Sequence, residues 1–213
     1  MNTRQTAQET SGRNPERRGY HHGNLRAALV HATRELLAFH GPKGFTLADA
    51  ARKAGVSAAA PYRHFADREA LLAAVAQEGF QLFGAQIAEA VEGECDPQRA
   101  LMHMGRAYLA FARDEPGYYA AMFAFSPGEQ VEPNADHEAA FQFLIGTIAS
   151  VLSARSMPVE AARHLAFQIW SLSHGVATLD ATGHLDDCGT SAQTLLIDGA
   201  MALLAASGDV SSR

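Results

Sequence analysis

Apolar residues recur along this chain at the three-and-four spacing of amphipathic helices. Leu25, Leu29, Ala32, Leu36 and Phe39 form one stripe, predicting a helix that opens at the N-capping residue Asn24 and ends at Gly41, Pro42 and Gly44. Phe80, Phe83, Ile87 and Val91 continue a long helix that opens at Asp67, with Glu69 in its first turn, and closes near Val91. Further stripes run through Leu101, Met104, Tyr108 and Phe111, then through Phe141, Leu144, Ile148 and Leu152. Another links Leu165, Ile169, Leu172, Val176 and Leu179, and the last passes through Ile197, Met201 and Leu204. Breakers separate them at Asp96-Pro97, Pro116-Gly117, Ser126-Pro127-Gly128, Pro133-Asn134, Met157-Pro158 and from Gly183 to Gly189. No segment of useful length alternates with period two, so the pattern predicts an all-α fold.

The segment TLADAARKAGVSAAAPYRHF, from Thr46 to Phe65, has its own punctuation. Thr46 is placed to cap a short helix over Leu47 to Ala54, Gly55 can take positive φ at a turn, and Ser57 can cap a second short helix. Ala51 is small where the two helices approach, and Leu47, Ala50, Val56 and Phe65 supply the apolar contacts that fix their crossing. This is helix-turn-helix spacing, in which the second helix enters a DNA major groove. A plain helical hairpin inside a bundle shares the spacing.

Charge adds a second asymmetry. The net charge is −6, yet residues 1–72 carry eleven Lys and Arg against six Asp and Glu, a net of +5, while the remainder carries six against seventeen, a net of −11. A basic head on an acidic body suits a chain whose first part alone meets phosphate; two ordinary solvated surfaces would read the same. With 213 residues, 47% of them hydrophobic, there is material for one large core and a small one. Cys95 and Cys188 lie far apart with no ligand spacing, which points to a reducing cytoplasm rather than a disulfide or zinc framework. The polar opening, residues 1–18, has no signal-like apolar core, and no run of eighteen apolar residues occurs, so neither export nor a membrane partner is expected. HExxH, GxSxG and a Gly-rich phosphate loop are missing, so no enzyme is expected.

The run Thr46, Ala48, Ala51, Ala54-Gly55-Val56-Ser57, Tyr62, His64-Phe65, Arg68-Glu69 and Leu71-Leu72 resembles the signature of the TetR family of repressors. Tyr20-His21-His22-Gly23-Asn24-Leu25-Arg26 resembles the approach to the first helix in one subgroup. Ile169-Trp170-Ser171-Leu172-Ser173-His174-Gly175 resembles the Trp/His/Gly (WHG) motif of that subgroup's regulatory domain. The resemblance implies about nine helices and three parts: a disordered polar arm over 1–18, a helix-turn-helix DNA-binding domain over 19–79 with its motif at 46–65, and a ligand-sensing and dimerisation domain over 80–213. It implies a cytoplasmic, ligand-responsive homodimer, most simply a repressor released from an inverted-repeat, double-stranded operator by a small apolar effector. No cofactor is implied. A sequence-tolerant architectural DNA binder is the principal alternative; an all-α enzyme or carrier with a vestigial helix-turn-helix is the other.

Departures from the family pattern bear on the reading head. Ala50 stands where Ile is usual, and Arg68 where a Lys often follows the Phe. Pro61, in the fourth position after Ser57, cannot donate to the Ser57 carbonyl and restricts Ala60, so an irregular first turn is expected. Ala58, Ala59 and Ala60 can meet thymine methyls but cannot hydrogen-bond; Arg63 alone can read guanine bidentately. Thr46, Ser57, Tyr62, His64 and Arg68 are expected at the DNA as cap or phosphate contacts. Arg17 and Arg18 can reach a minor groove or form a cationic tail without a defined contact.

In the second half, Phe83, Tyr108, Phe111, Met122, Phe123, Phe143, Trp170 and His174 are the candidate ligand residues. For His174, a core histidine bonded to a backbone carbonyl is the favoured reading over a ligand contact. Leu172, Val176, Leu179, Leus 196 and 203, that is Leu196 and Leu203, with the small residues between them, are candidates for the dimer interface. Gly183 to Gly189 holds metal-capable side chains but reads as a solvated connection, not a metal site.

Overall fold

The computed structural model describes residues 24–124, 135–187 and 189–209, and among these there is no strand. The helices are α1 (Leu25–His40), α2 (Leu47–Lys53), α3 (Arg68–Val91), α4 (Pro97–Asp114), α5 (Pro116–Met122), α6 (Ala135–Ala154), α7 (Ala162–Ala181) and α8 (Ala192–Asp209). Two short 3₁₀ turns, Pro61–Arg63 and Val159–Ala161, complete the regular structure of these residues. The polar arm with Arg17 and Arg18, the run 20–23 and Cys188 lie outside the described residues.

The helices begin where local chemistry dictates. Asn24 Oδ1 accepts from the Ala27 amide at 3.2 Å, and Asp67 Oδ1 from the Ala70 amide at 2.8 Å, each satisfying an N–H the helix cannot bond itself. Asp96 accepts from the amides of Gln98 and Arg99, and Pro97 follows it in the first helical position. The α1 stripe fails at its far end. Leu29, Val30, Ala32, Thr33 and Leu37 face inward, while Phe39 is 82% exposed, beyond the edge of the buried arc.

Two cores organise the bundle. Leu29, Val30, Leu37, Phe45, Leu47, Phe65, Leu71 and Val75 join α1, α2 and the first half of α3, and Phe111, Tyr118, Ala121 and Met122 belong to the same cluster. The short α5 therefore packs chiefly on α1 and α3. At that joint Gly117 lets the backbones close up: a Cβ there would stand 2.0 Å from the carbonyl oxygen of Arg34. Arg34 is paired with Glu115 at 3.1 Å and lies over the Tyr118 ring. The second core, with Leu101, Ile148, Leu152, Leu165, Ile169 and Leu204, joins α4, α6, α7 and α8. Each of the fully buried aliphatic side chains contributes about 1.5–3 kcal/mol of transfer free energy.

Candidate nucleic-acid interface and apolar cavity

A reciprocal cap builds α2. The Thr46 hydroxyl accepts from the Asp49 amide at 3.2 Å and donates to Asp49 Oδ2 at 2.7 Å, while the Thr46 amide donates to the same oxygen at 2.9 Å. The Thr46 hydroxyl, then its amide, holds the Asp49 carboxyl below the ordinary carboxylate range. Beyond α2, Gly55 takes φ +73° and turns the chain, and the Val56 amide reaches the Ala51 carbonyl at 3.0 Å. The geometry around Ala51 is as the pattern requires: it is fully buried, as is Ala50.

The second helix of the motif departs from the expectation that Ser57 caps a short α-helix. The chain turns at residues 58–60 and then makes only the 3₁₀ turn Pro61–Arg63. The cause is the missing N–H of Pro61. An α-helix would bond that group to the Ser57 carbonyl; instead the Ser57 carbonyl accepts from the Ala60 amide at 2.9 Å, one residue earlier. The His64 amide then donates to the Pro61 carbonyl at 2.8 Å, so the tight turn propagates. This removal of a regular recognition helix also accounts for eight α-helices, rather than nine, among the described residues.

Ser57, Ala58, Ala59, Tyr62, Arg63 and His64 are exposed together, Ala60 is half-buried, and Pro61 and Phe65 are turned into the core. The Arg63 side chain makes no ion pair or hydrogen bond with another described residue. Arg68 is different: its Nε donates to the Phe45 carbonyl at 3.2 Å, its guanidinium lies 4.7 Å from the Phe45 ring centre, and Nη1 pairs with Glu69 at 2.9 Å. It pins the loop before α2 to the start of α3, and much of its bonding capacity is already spent.

An apolar cavity lies among α3, α4, α6, α7 and α8. Phe80, Phe83 and Ile87 form its α3 wall; Met104 and Tyr108 line it from α4; His137, Phe141 and Leu144 from α6; Trp170 and Ser173 from α7; Leu196 and Met201 from α8. Of the candidate ligand residues, Phe83, Tyr108, Phe123 and Trp170 line it. Four do not. Phe111 is buried behind Phe83, ring centres 5.3 Å apart, and Met122 packs in the first core against Gly79. Phe143 is 44% exposed beside a separate groove between α3 and α6, and His174 stands behind Tyr108. The pattern missed Phe80, His137, Phe141 and Ile169, although all four sit on the helical stripes or one position from them.

His174 is not held by a backbone carbonyl. Its Nδ1 lies 2.8 Å from the Tyr119 hydroxyl and 3.3 Å from that of Tyr108, and the two hydroxyls are 3.2 Å apart. Burial lowers the His174 pKa and raises those of Tyr108 and Tyr119, so all three groups favour their uncharged forms. With Nδ1 as the acceptor, a Tyr hydroxyl donates to it and the imidazole proton sits on Nε2.

The dimer candidates are divided. Val176 and Leu196 are 3% and 2% exposed within the single chain, so their side chains are spent in its own core. Leu172 packs over Gly199, where an added Cβ would be 2.7 Å from Leu172 Cδ2, and Leu203 packs on the second core. Leu179 remains 43% exposed. Among the described residues no cluster of three or more His, Cys, Asp or Glu is arranged to hold a metal, and no helix is long and apolar enough to cross a membrane.

Two family models match the chain: bacterial regulatory proteins of the tetR family over residues 29–75, and the tetracyclin repressor-like C-terminal domain over residues 101–202. Together they cover more than two thirds of the chain, which belongs to the TetR family. A helix-turn-helix-type transcriptional regulator of Mycobacterium tuberculosis is 31% identical over 93 residues, or 44% of this chain; the match spans 41% of that relative's length. Among solved structures, a protein of unknown function from Rhodococcus sp. RHA1 superposes with a TM-score of 0.72 at 29% identity, covering 90% of this chain and 99% of its own. The fold is also that of the transcriptional regulator FadR from Bacillus subtilis in complex with stearoyl-CoA, with a TM-score of 0.63, 16% identity, and coverage of 84% and 97% of the two chains.

Proposed function

We propose that this protein is a homodimeric, ligand-responsive DNA-binding regulator, a repressor that leaves an inverted-repeat operator when a small apolar molecule fills the cavity. One observation carries the reading. A single helix, α3, starts under the helix-turn-helix at Asp67 and continues to Phe80, Phe83 and Ile87 in the cavity wall. At 24 residues it spans roughly 36 Å, so a ligand that favours one tilt of α3 changes the separation of two reading heads. The complex of FadR with stearoyl-CoA lends support, in that a regulator of the same fold binds a molecule with a long apolar chain.

In this reading residues 19–79 read DNA, residues 80–213 sense ligand and dimerise, and the arm over 1–18 brings Arg17 and Arg18 to the duplex. Thr46, Ser57, Tyr62, His64 and Arg68 set register on phosphates; Ala58, Ala59 and Ala60 meet thymine methyls and Arg63 reads guanine. With one long polar reader per head, specificity leans on DNA shape. Leu179, with the exposed parts of Leu172 and Leu203, serves the dimer. The run from Ile169 to Gly175 supports placement in the Trp/His/Gly subgroup, and the chain acts where the DNA is, in the cytoplasm.

Selection of bound duplexes from a random pool by the purified protein, followed by a salt titration of the winner, tests this. A palindrome with half-sites about one helical turn apart is expected. Strong, salt-sensitive binding with no enriched motif would instead favour the architectural alternative, for which the alanine-rich reading head is the specific argument.

A further inference from the structure

Granting that the cavity is the effector site, its chemistry restricts what enters. A charge carried into an apolar site must be paired there, whereas an uncharged polar group needs only a hydrogen bond. No Lys, Arg, Asp or Glu lines the cavity among the described residues. Residues 125–134, outside the described part, contain no Lys or Arg, though they include Glu129 and Glu132. The Arg163 guanidinium lies over the Phe141 and Phe167 rings, 5.9 and 5.6 Å from their centres, and is not part of the lining.

The polar side chains of the wall are mostly committed elsewhere. The Ser173 hydroxyl donates to the Ile169 carbonyl at 2.8 Å. The Tyr108 hydroxyl is shared with Tyr119 and His174, and the side chain of Trp170 is also engaged with it. His137 is different. Its ring lies 5.0 Å from that of Phe80 and 6.0 Å from that of Trp170, in the α6 wall, and its side chain makes no hydrogen bond or ion pair with another described residue. An imidazole offers one donor and one acceptor when neutral, so it can meet a hydroxyl or a carbonyl. Elsewhere in the lining, the rings of Phe83, Phe123 and Phe141 favour edge and offset contacts with a flat ligand, and Met102 and Met201 adapt to its outline.

We propose that the effector is an uncharged, mainly aromatic molecule bearing a single hydroxyl or carbonyl, and that His137 is the side chain that pairs with this oxygen. His137 thereby selects among molecules whose apolar parts fit equally well.

Titration calorimetry of the full chain near pH 8, above the ordinary imidazole range, tests this with four probes sharing one apolar body: 4-tert-butylphenol, tert-butylbenzene, 4-tert-butylbenzoate and 4-tert-butylbenzylamine. The phenol is expected to bind about tenfold more tightly than each of the others. His137→Leu should bring the phenol to the level of the hydrocarbon and leave the hydrocarbon unchanged, while His137→Gln, which keeps a donor and an acceptor, should restore part of the difference. A benzoate or amine that binds as well as the phenol overturns the proposal, as does a phenol preference that survives His137→Leu. Ala140→Phe, which narrows the cavity, separates the two levels of the argument. If a charged probe wins and Ala140→Phe weakens it, the cavity stands and this inference falls; if no probe binds, or Ala140→Phe affects none, the cavity reading falls and this inference with it.

Discussion

Replacing Gly117 by Ala tests the joint between α5 and the DNA-binding part. Its added Cβ would lie 2.0 Å from the Arg34 carbonyl oxygen and 2.9 Å from the Arg34 carbonyl carbon, both backbone atoms that cannot rotate aside. Ordinary contact distances are nearer about 3.5 Å, so α1 and α5 must separate by about 1 Å or more. Overpacking of this kind costs about 1–3 kcal/mol. Separation also loosens the half-buried Arg34–Glu115 pair and the Arg34 contact with Tyr118, together worth about 1 kcal/mol. Against this stands a gain of about 0.5–1 kcal/mol from removing glycine's backbone freedom. The balance is a loss of about 2 kcal/mol, or roughly 4–8 °C in Tm for a chain of this size.

Gly146→Ala is the control, since an added Cβ at that position in α6 meets nothing within 4 Å and should leave stability equal or higher by up to about 1 kcal/mol. Thermal and urea melts at one fixed protomer concentration check the pair, because dissociation of a dimer would otherwise shift both curves. Should Gly117→Ala melt as high as Gly146→Ala, the close approach of α5 to α1 is wrong, and with it the assignment of α5 to the first core.

Asp49 has a depressed folded pKa, so the stability it contributes is present above the ordinary carboxylate range and lost as pH falls through the folded value; Asp49→Asn should remove that part of the acid dependence in pH-dependent urea melts, and Thr46→Ala should cost about 1 kcal/mol. His174 is a base with a lowered folded pKa, so stability should fall as pH drops below about 6.5 and level off below the folded value; replacing His174 by Gln should flatten that slope. Tyr119→Phe deletes the 2.8 Å partner of Nδ1 and should cost about 1–3 kcal/mol by chemical denaturation, unless Tyr108 swings in to replace it. On a selected operator, Arg63→Ala should relax discrimination at one base position by about 1–3 kcal/mol, whereas an equal loss across all sequences would make Arg63 a phosphate contact instead.

What could be read from the sequence was set by how local its cause is. The caps at Asn24, Thr46 and Asp67 and the turn at Gly55 each depend on a few neighbouring residues, and each stands where the pattern put it. Pro61 belongs with them, since a missing N–H predicts a disturbed turn; its extent was not legible, because whether the helix resumes after the turn depends on how Phe65 and Pro61 are drawn into the core. The cavity was legible only as a surplus of aromatic side chains. Phe83 and Phe111 look alike along a chain, yet one lines the space and the other stands behind it, a difference of packing between α3 and α4. Met122 was misplaced for a similar reason: nothing next to it reveals that α5 folds back onto Gly79 and Arg34.

The small residues of α7 and α8 show how one pattern can serve two ends. Glycine and alanine at these positions permit close helix packing, and the sequence alone cannot say whether the neighbour is the same chain or its symmetry mate. Leu172 over Gly199 spends one such contact inside the chain, and buried Val176 and Leu196 spend two more. A partner would therefore meet the opposite faces of the two helices, where Leu179 is exposed. The buried leucine Leu196 also lines the cavity, so the helix proposed to hold a partner on one side faces the ligand on the other. An effector that shifts α8 by displacing Leu196 would then reach the dimer seam through one helix diameter, as well as the DNA through the length of α3. If the proposed function holds, two short mechanical routes from one apolar space would let the bundle report occupancy to a pair of reading heads.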